Sequence, residues 1–372
     1  MINASDYPTL QAALDASLNV MIPAGVYVDQ PLTFRTGHRV TGEGRGTVLK
    51  ASSSLPTREA FLNCIDADNV ELSNIAIDID PACVDLFGLL VRNSTGSFFE
   101  KIVFTNSGQT FGALSQNCTD CYFDYIEVPS AKVRCIQHVE GTRIKTRYHK
   151  LSHPGIDHCV AIIGGIDNDV QFGRVSNAPN FGVSYYKTDG GDCSGNKAMD
   201  TTLEAYQITD CINVRIHDNC ARWNVGVSDD FGISIHGETF YPPNIAPTRL
   251  FASTNQIYNN SIFGCGKSGV AIAGNAMDNR VYNNFISNPC QLGEAFASGI
   301  LMYGQYCTGN LIDSNVISTY VPAAVSKMQY GVAEGSDAGY FSSNNRVGCN
   351  KITGAKISNL ALQPSTVAYL NS

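Results

Sequence analysis

Five residues that could carry acid–base chemistry fall in a short stretch near the middle of the chain: Glu204, Asp229, Asp230, His236 and Glu238. Hydrolysis of a glycosidic bond needs two carboxyl groups. One protonates the leaving oxygen and the other acts as nucleophile or activates water. Tyr186, Tyr206, the single tryptophan Trp223 and Tyr303 are rings on which a sugar face could stack, and Lys187 could bind a polar substituent. A second cluster, Arg143-Ile144-Lys145 followed by Arg147-Tyr148-His149-Lys150 and His153, is basic. It could neutralise a uronate carboxylate while Tyr, His or Lys removes the adjacent proton, or it could be a solvated basic edge. His38, His138 and His217 stand alone and read as structural, and Asp229-Asp230 could also simply cap a turn. Cys118-Thr119-Asp120-Cys121 has no second cysteine pair or spaced histidines to complete a zinc site, so no metal is expected there.

These residues need a scaffold, and an internal repeat supplies it. The element Asn-x-(Val/Ile)-x-x-Asn-x-Ile occurs at 255–262, 279–286, 310–317 and 345–352, with a degenerate copy at 214–219 and an early relative at 69–75. Repeats of 20 to 50 residues indicate a solenoid or propeller. Between them lies a second mark, glycine before a β-branched residue: Gly182-Val183, Gly232-Ile233, Gly269-Val270, Gly299-Ile300 and Gly331-Val332. Each unit therefore holds two or three short strands joined by Asn or Gly turns. Asn tolerates the left-handed conformation, and stacked Asn side chains can hydrogen-bond from coil to coil. No Trp-Asp blade signature is present and the unit length varies, which disfavours a propeller. Ahead of the repeats, Leu10, Ala13 and Leu14 are spaced as in a helix, with Ser5 or Asp6 as its cap and Pro8 near its first turn.

Strand alternation predicts which side chains leave the core. Val183 and Tyr185 are expected inside, with Ser184 and Tyr186 outside. Ile233 and Ile235 go inside, with Ser234 and His236 outside. Leu203 and Ala205 go inside, with Glu204 and Tyr206 outside. Coils rising about 4.8 Å each would then line up Ser184, Glu204 and Ser234 beside Tyr186, Tyr206 and His236, over about 10 Å. Neighbouring coils place carboxylates at about the retaining separation and alternate coils at about the inverting one. Crowded carboxylates also divide into an acid and a base.

The opening helix, then Ile22-Pro23-Ala24-Gly25-Val26-Tyr27 and Val40-Thr41-Gly42-Glu43-Gly44, resembles the start of the pectate-lyase-like right-handed parallel β-helix proteins. That superfamily includes pectate lyases, polygalacturonases, alginate epimerases and bacteriophage tailspike depolymerases, and the chain looks most like the last. The Phe-Gly-Ala and Gly-Asp-Gly stretch that often precedes the helix is missing. Asp157-His158-Cys159-Val160-Ala161-Ile162, His236-Gly237 and Arg143-Ile144-Lys145 echo polygalacturonase motifs in the wrong order, which leaves Asp157 as one further catalytic candidate. The resemblance implies an all-β, single-stranded right-handed parallel β-helix with a short N-terminal capping helix. Its implied parts are a cap and first coil over 1–50, the β-helix over 51–358 and a tail over 359–372.

Composition limits what such a protein does. Of 372 residues 44% are hydrophobic and 16% charged, with 34 glycines and 17 each of Tyr and Phe, which suits a turn-rich β body. Net charge is −8 with no basic run, so no nucleic-acid partner is expected. No apolar run reaches 18 residues and no signal peptide opens the chain, so no membrane partner is expected either. Thirteen scattered cysteines read as buried small hydrophobes assembled in a reducing compartment.

The functional expectation is a depolymerase that hydrolyses a cell-surface or extracellular polysaccharide, acting outside the cell or on a virion surface without a cofactor. The first rival is a uronate lyase or C5-epimerase using Tyr186, Lys187 or the basic cluster, with Ca²⁺. The second is a non-catalytic carbohydrate-binding β-helix. By resemblance to tailspikes a homotrimer is expected.

Overall fold

The alternating apolar runs become strands, and all the described pairings are parallel except one hairpin between Tyr330–Asp337 and Tyr340–Phe341. The computed structural model describes residues 1–51, 60–83, 85–106, 108–223, 231–237, 251–293, 297–304, 306–322, 325–337 and 340–371. These fall into two units, Met1–Pro179 and Asn180–Ser372. Each is built of coils whose strands stack on the equivalent strands of the next coil. That is the architecture of an all-β parallel solenoid.

In the first unit, Leu89, Ala113, Ile136 and Val160 sit in register on four successive strands and are buried. The α-helix Leu10–Ala16 buries Leu10, Ala13 and Leu14. Its cap is Thr9, whose Oγ1 accepts from the Ala12 amide (3.1 Å), and not Ser5 or Asp6. The reason is Pro8, which holds the residue before it extended: Tyr7 (φ −121°, ψ 151°) separates the helix from a 3₁₀ turn at Ala4–Asp6 that Asn3 caps.

In the second unit, Val183, Tyr206, Ile233, Val270, Ile300 and Val332 form one buried file. The repeated asparagines form two buried ladders. Asn255, Asn279, Asn310 and Asn345 each pass an amide N–H to the next side-chain oxygen at 3.1 Å. Asn260, Asn284, Asn315, Asn350 and Asn371 do the same at 2.9–3.0 Å. The left-handed backbone belongs to the residue just before each ladder Asn, such as Asn259, Asp278, Asn283 and Ser314. The two sequence marks meet in the core. A Cβ on Gly299 would lie 2.2 Å from Cγ2 of Ile317, the isoleucine that ends the Asn repeat. Only a residue without a side chain fits between the sheets there.

The segment expected as a tail carries two strands, Ser358–Ala361 and Val367–Tyr369, paired to Tyr330–Asp337 and Arg346–Gly348. Buried Glu334 fastens it, accepting from the Gln363 amide (2.6 Å), Thr366 Oγ1 (2.8 Å) and Asn345 Nδ2 (2.8 Å). None of the thirteen cysteines forms a disulfide, and all but Cys220 and Cys349 are buried.

Candidate active site

Register decides what faces outward in the second unit. Strands Val183–Tyr186, Tyr206–Thr209, Ile233–Gly237, Val270–Gly274 and Ser298–Tyr303 align Ser184 with Gln207, Ser234, Ala271 and Leu301. Beside them run Tyr186, Thr209, His236, Ala273 and Tyr303. The second file therefore carries a ring at each end and a histidine near its middle, over about 19 Å.

Of the expected residues, Tyr186, His236 and Tyr303 share this strip, and Lys187 joins it by placing its ammonium 4.7 Å from the centre of the Tyr186 ring. Phe231 packs at 6.4 Å on Tyr303 and carries Lys267 over its own ring at 5.6 Å. Glu204 lies at the strip but not in the expected place. It precedes its strand, is 5% exposed, and its Oε1 accepts from Ser234 Oγ at 3.0 Å.

Tyr206 is not outside. It is fully buried between Val183 and Ile233, and its hydroxyl lies 3.1 Å from the Asn196 carbonyl and 3.3 Å from that of Cys220. Burial pushes its phenol well above the ordinary range. Gln207 and Thr209 take the outward places that alternation assigned to Glu204 and Tyr206, because the strand begins at Tyr206. Ser184 Oγ donates to Gln207 Oε1 at 3.1 Å. A usable signal was Ala205, a small residue in the slot that glycine fills at 182, 232, 269 and 299. Asp210, a buried carboxyl directly after that strand, had no sequence signal.

Trp223 directly follows the strand Cys220–Arg222 of a different sheet, and its indole N–H donates to the Thr201 carbonyl at 2.7 Å. It lines a cleft of about 390 Å³ with Arg222, Phe263 and Tyr320. Asp229, Asp230 and Glu238 lie outside the described residues.

Asp157 belongs to the first unit, where Arg134 Nε donates to it (2.6 Å) and His158 Nδ1 is 2.5 Å away. The basic cluster, also in that unit, is no free array of cations. Arg143 chelates Asp120 at 2.6 and 2.7 Å, Arg147 grips Asp124, and Lys150 reaches Glu127 at 3.1 Å. The Arg143 guanidinium accordingly holds the Asp120 carboxyl below its ordinary value. His149 is buried and cannot meet a substrate, and desolvation lowers its pKa to about 4.

The lone histidines, expected to be structural, are each held by polar contacts within the protein. His38 Nδ1 accepts from the Arg35 amide at 3.0 Å, His138 sits between Ser115 Oγ (2.6 Å) and Thr146 Oγ1 (2.7 Å), and His217 bridges Asp192 and Asp218. Among the described residues no group of three His, Cys, Asp or Glu is placed to hold a metal ion.

No family model and no curated protein matches the chain. Solved structures do. The A-module of the Azotobacter vinelandii mannuronan C-5 epimerase AlgE6 aligns over 100% of this chain and 99% of its own, at 16% identity and TM-score 0.52. The catalytic unit of a GH87 α-1,3-glucanase from Streptomyces thermodiastaticus aligns over 98% and 69%, at 12% and 0.62. The Dettilon tailspike protein aligns over 99% and 68%, at 13% and 0.53. These are right-handed parallel β-helix proteins, and the chain shares their fold.

Proposed function

We propose that this protein acts on a polysaccharide, cleaving its glycosidic bonds in a groove along the outward strip of the second unit. The observation that carries this reading is Glu204. It is a carboxyl withdrawn from water on a serine hydroxyl, at a surface whose outward file runs from Tyr186 past His236 to Tyr303. Rings at both ends suit a chain of sugars, since pyranose C–H faces pack on aromatic faces. Glu204 supplies one of the two carboxyl groups that hydrolysis requires, and Asp229 or Asp230 the other. The α-1,3-glucanase likeness agrees with a glycan substrate, and the tailspike likeness with a place on a virion.

The lyase or epimerase reading draws on Tyr186 as the group that removes the proton, with the Lys187 ammonium beside it to meet the uronate carboxylate. In that reading Ca²⁺ would neutralise the uronate, though among the described residues no group of three His, Cys, Asp or Glu is placed to hold it.

Incubation with a panel of bacterial capsular, alginate and glucan polymers separates these readings. New reducing ends without unsaturated sugars support hydrolysis. Unsaturated uronates, or altered uronate configuration without cleavage, replace it with the second reading. Binding without any product removes catalysis altogether.

A further inference from the structure

Where two short strands follow each other in a coil, as Tyr122–Asp124 and Glu127–Val128 do, the turn between them opens with a residue in the left-handed conformation. In most coils that residue is small or polar: Asn74, Gly195, Asp218, Asn259, Asn283 and Ser314. Three consecutive coils of the first unit instead put Tyr125, Tyr148 and Phe172 there, at φ of 54°, 54° and 55°. Bulky side chains are disfavoured in this conformation, and these three are also 46%, 45% and 52% exposed. They stack at 4.8 Å (13° between planes) and 5.4 Å (20°). A stack covers inner faces and leaves its end faces open. At Tyr125 the open face turns toward the preceding coil, where the equivalent residue is Lys101 and one coil further back Asn74.

A groove of about 430 Å³ occupies that place, lined by Arg45, Asn74, Lys101, Tyr125, Glu127 and Lys150, among others. Its charge runs against the chain's net −8. Arg45 and Lys150 share a single carboxylate, Glu127, and Lys101 pairs with Glu100 at 2.9 Å. The side chains of the three cations are 70%, 66% and 54% exposed for Arg45, Lys150 and Lys101. One positive charge is thus left over beside an open aromatic face.

The geometry points to a binding site for an anionic saccharide in this groove, with a pyranose ring on Tyr125 and its carboxylate or sulfate between Arg45 and Lys150. A sugar presents axial C–H bonds to the negative face of the ring, and the acid group supplies the specificity. The site does not depend on the strip of the second unit being catalytic.

The test is calorimetric titration of the full chain carrying Glu204→Gln with three probes: an oligomannuronate, a dextran sulfate oligosaccharide and a neutral malto-oligosaccharide. One or both anionic probes should bind, and the neutral one should be weaker by about tenfold or more. Whichever anion binds identifies the acid group. Tyr125→Asn installs the residue that Asn259 and Asn283 show to be accepted at this turn, so it should fold normally and weaken binding by about tenfold or more. Arg45→Gln should do the same. Glu127→Gln releases both cations from their carboxylate and should tighten binding, which a merely structural role for the groove would not produce. Equal binding of the neutral probe, no binding of any probe, or affinities unchanged in Tyr125→Asn and Arg45→Gln overturn the assignment. So does light scattering that shows Tyr125→Asn splitting an oligomer with glycan affinity intact, which makes the ladder a contact between copies.

Discussion

On the proposed function, two nearby residues, Glu204 and Tyr206, take opposite parts, the first in chemistry and the second in the scaffold. Glu204 touches the outward strip through Ser234, so Glu204→Gln, which keeps shape and hydrogen bonding while removing the ionisable group, should cut turnover by about 10² or more and leave glycan affinity intact. Near-normal turnover on the true substrate would move the reaction away from the strip. Tyr206 is inside, so Tyr206→Phe should leave turnover unchanged and lower stability by about 1 kcal/mol, the net worth of a buried hydroxyl's hydrogen bond. Denaturant midpoints and initial rates on the same preparations separate the two effects. The strip was half legible for a physical reason. Tyr186 and His236 lie in strands whose start is marked by a glycine, which fixes the alternation. Glu204 and Tyr206 lie where Ala205 replaces that glycine, and an odd shift in where a strand begins exchanges its inner and outer faces. Tyrosine is also amphipathic, and carbonyls at Asn196 and Cys220 make the inside acceptable to it.

At the scale of elements, the repeat was readable because one-residue events recur in register. Ladder Asn and core Ile each need the same environment in every coil, so they survive as a pattern, whereas the loops between them need not. The pairing of Gly299 with Ile317 makes this testable. Gly299→Ala puts a Cβ 2.2 Å from Ile317 Cγ2 and 2.8 Å from the Gly331 carbonyl, and overpacking of this kind costs about 1–3 kcal/mol. Adding Ile317→Ala should recover part of that loss, and strictly additive effects in urea denaturation would disprove the contact.

A second element-scale prediction concerns two histidines packed inside the first unit. Burial lowers the pKa of His138 from 6.5 to about 3, with the charge of His149 as a smaller cause, and burial lowers that of His149 to about 4. The unfolded chain therefore takes up these protons first. The stabilisation is complete above about pH 6.5 and is lost as pH falls toward the folded values, at about 2 kcal/mol per histidine by pH 5. Unfolding midpoints should drop between pH 7 and pH 5, and His149→Met should flatten that slope. A midpoint constant over this range in both proteins would mean that neither ring is kept from water.

The whole molecule carries an imbalance that single coils do not. Near the end of the second unit Tyr320 (73%), Val325 (67%), Ile357 (61%) and Val367 (59%) are left exposed within a stretch of fifty residues. Burying such side chains is worth about 1.5–3 kcal/mol each. Association of copies through this region would remove that surface, and the homotrimer expected from the sequence resemblance is one closed form that does so. Light scattering across micromolar concentrations should therefore give three times the chain mass. Val325→Lys combined with Ile357→Lys should shift it to the mass of one chain without loss of β signal in circular dichroism. Both positions are largely exposed, so the charges cost little in the monomer and much in a dry interface. A wild-type protein that scatters as one chain at every concentration, or a double variant that stays associated, would place the exposed aliphatic residues outside any contact between copies.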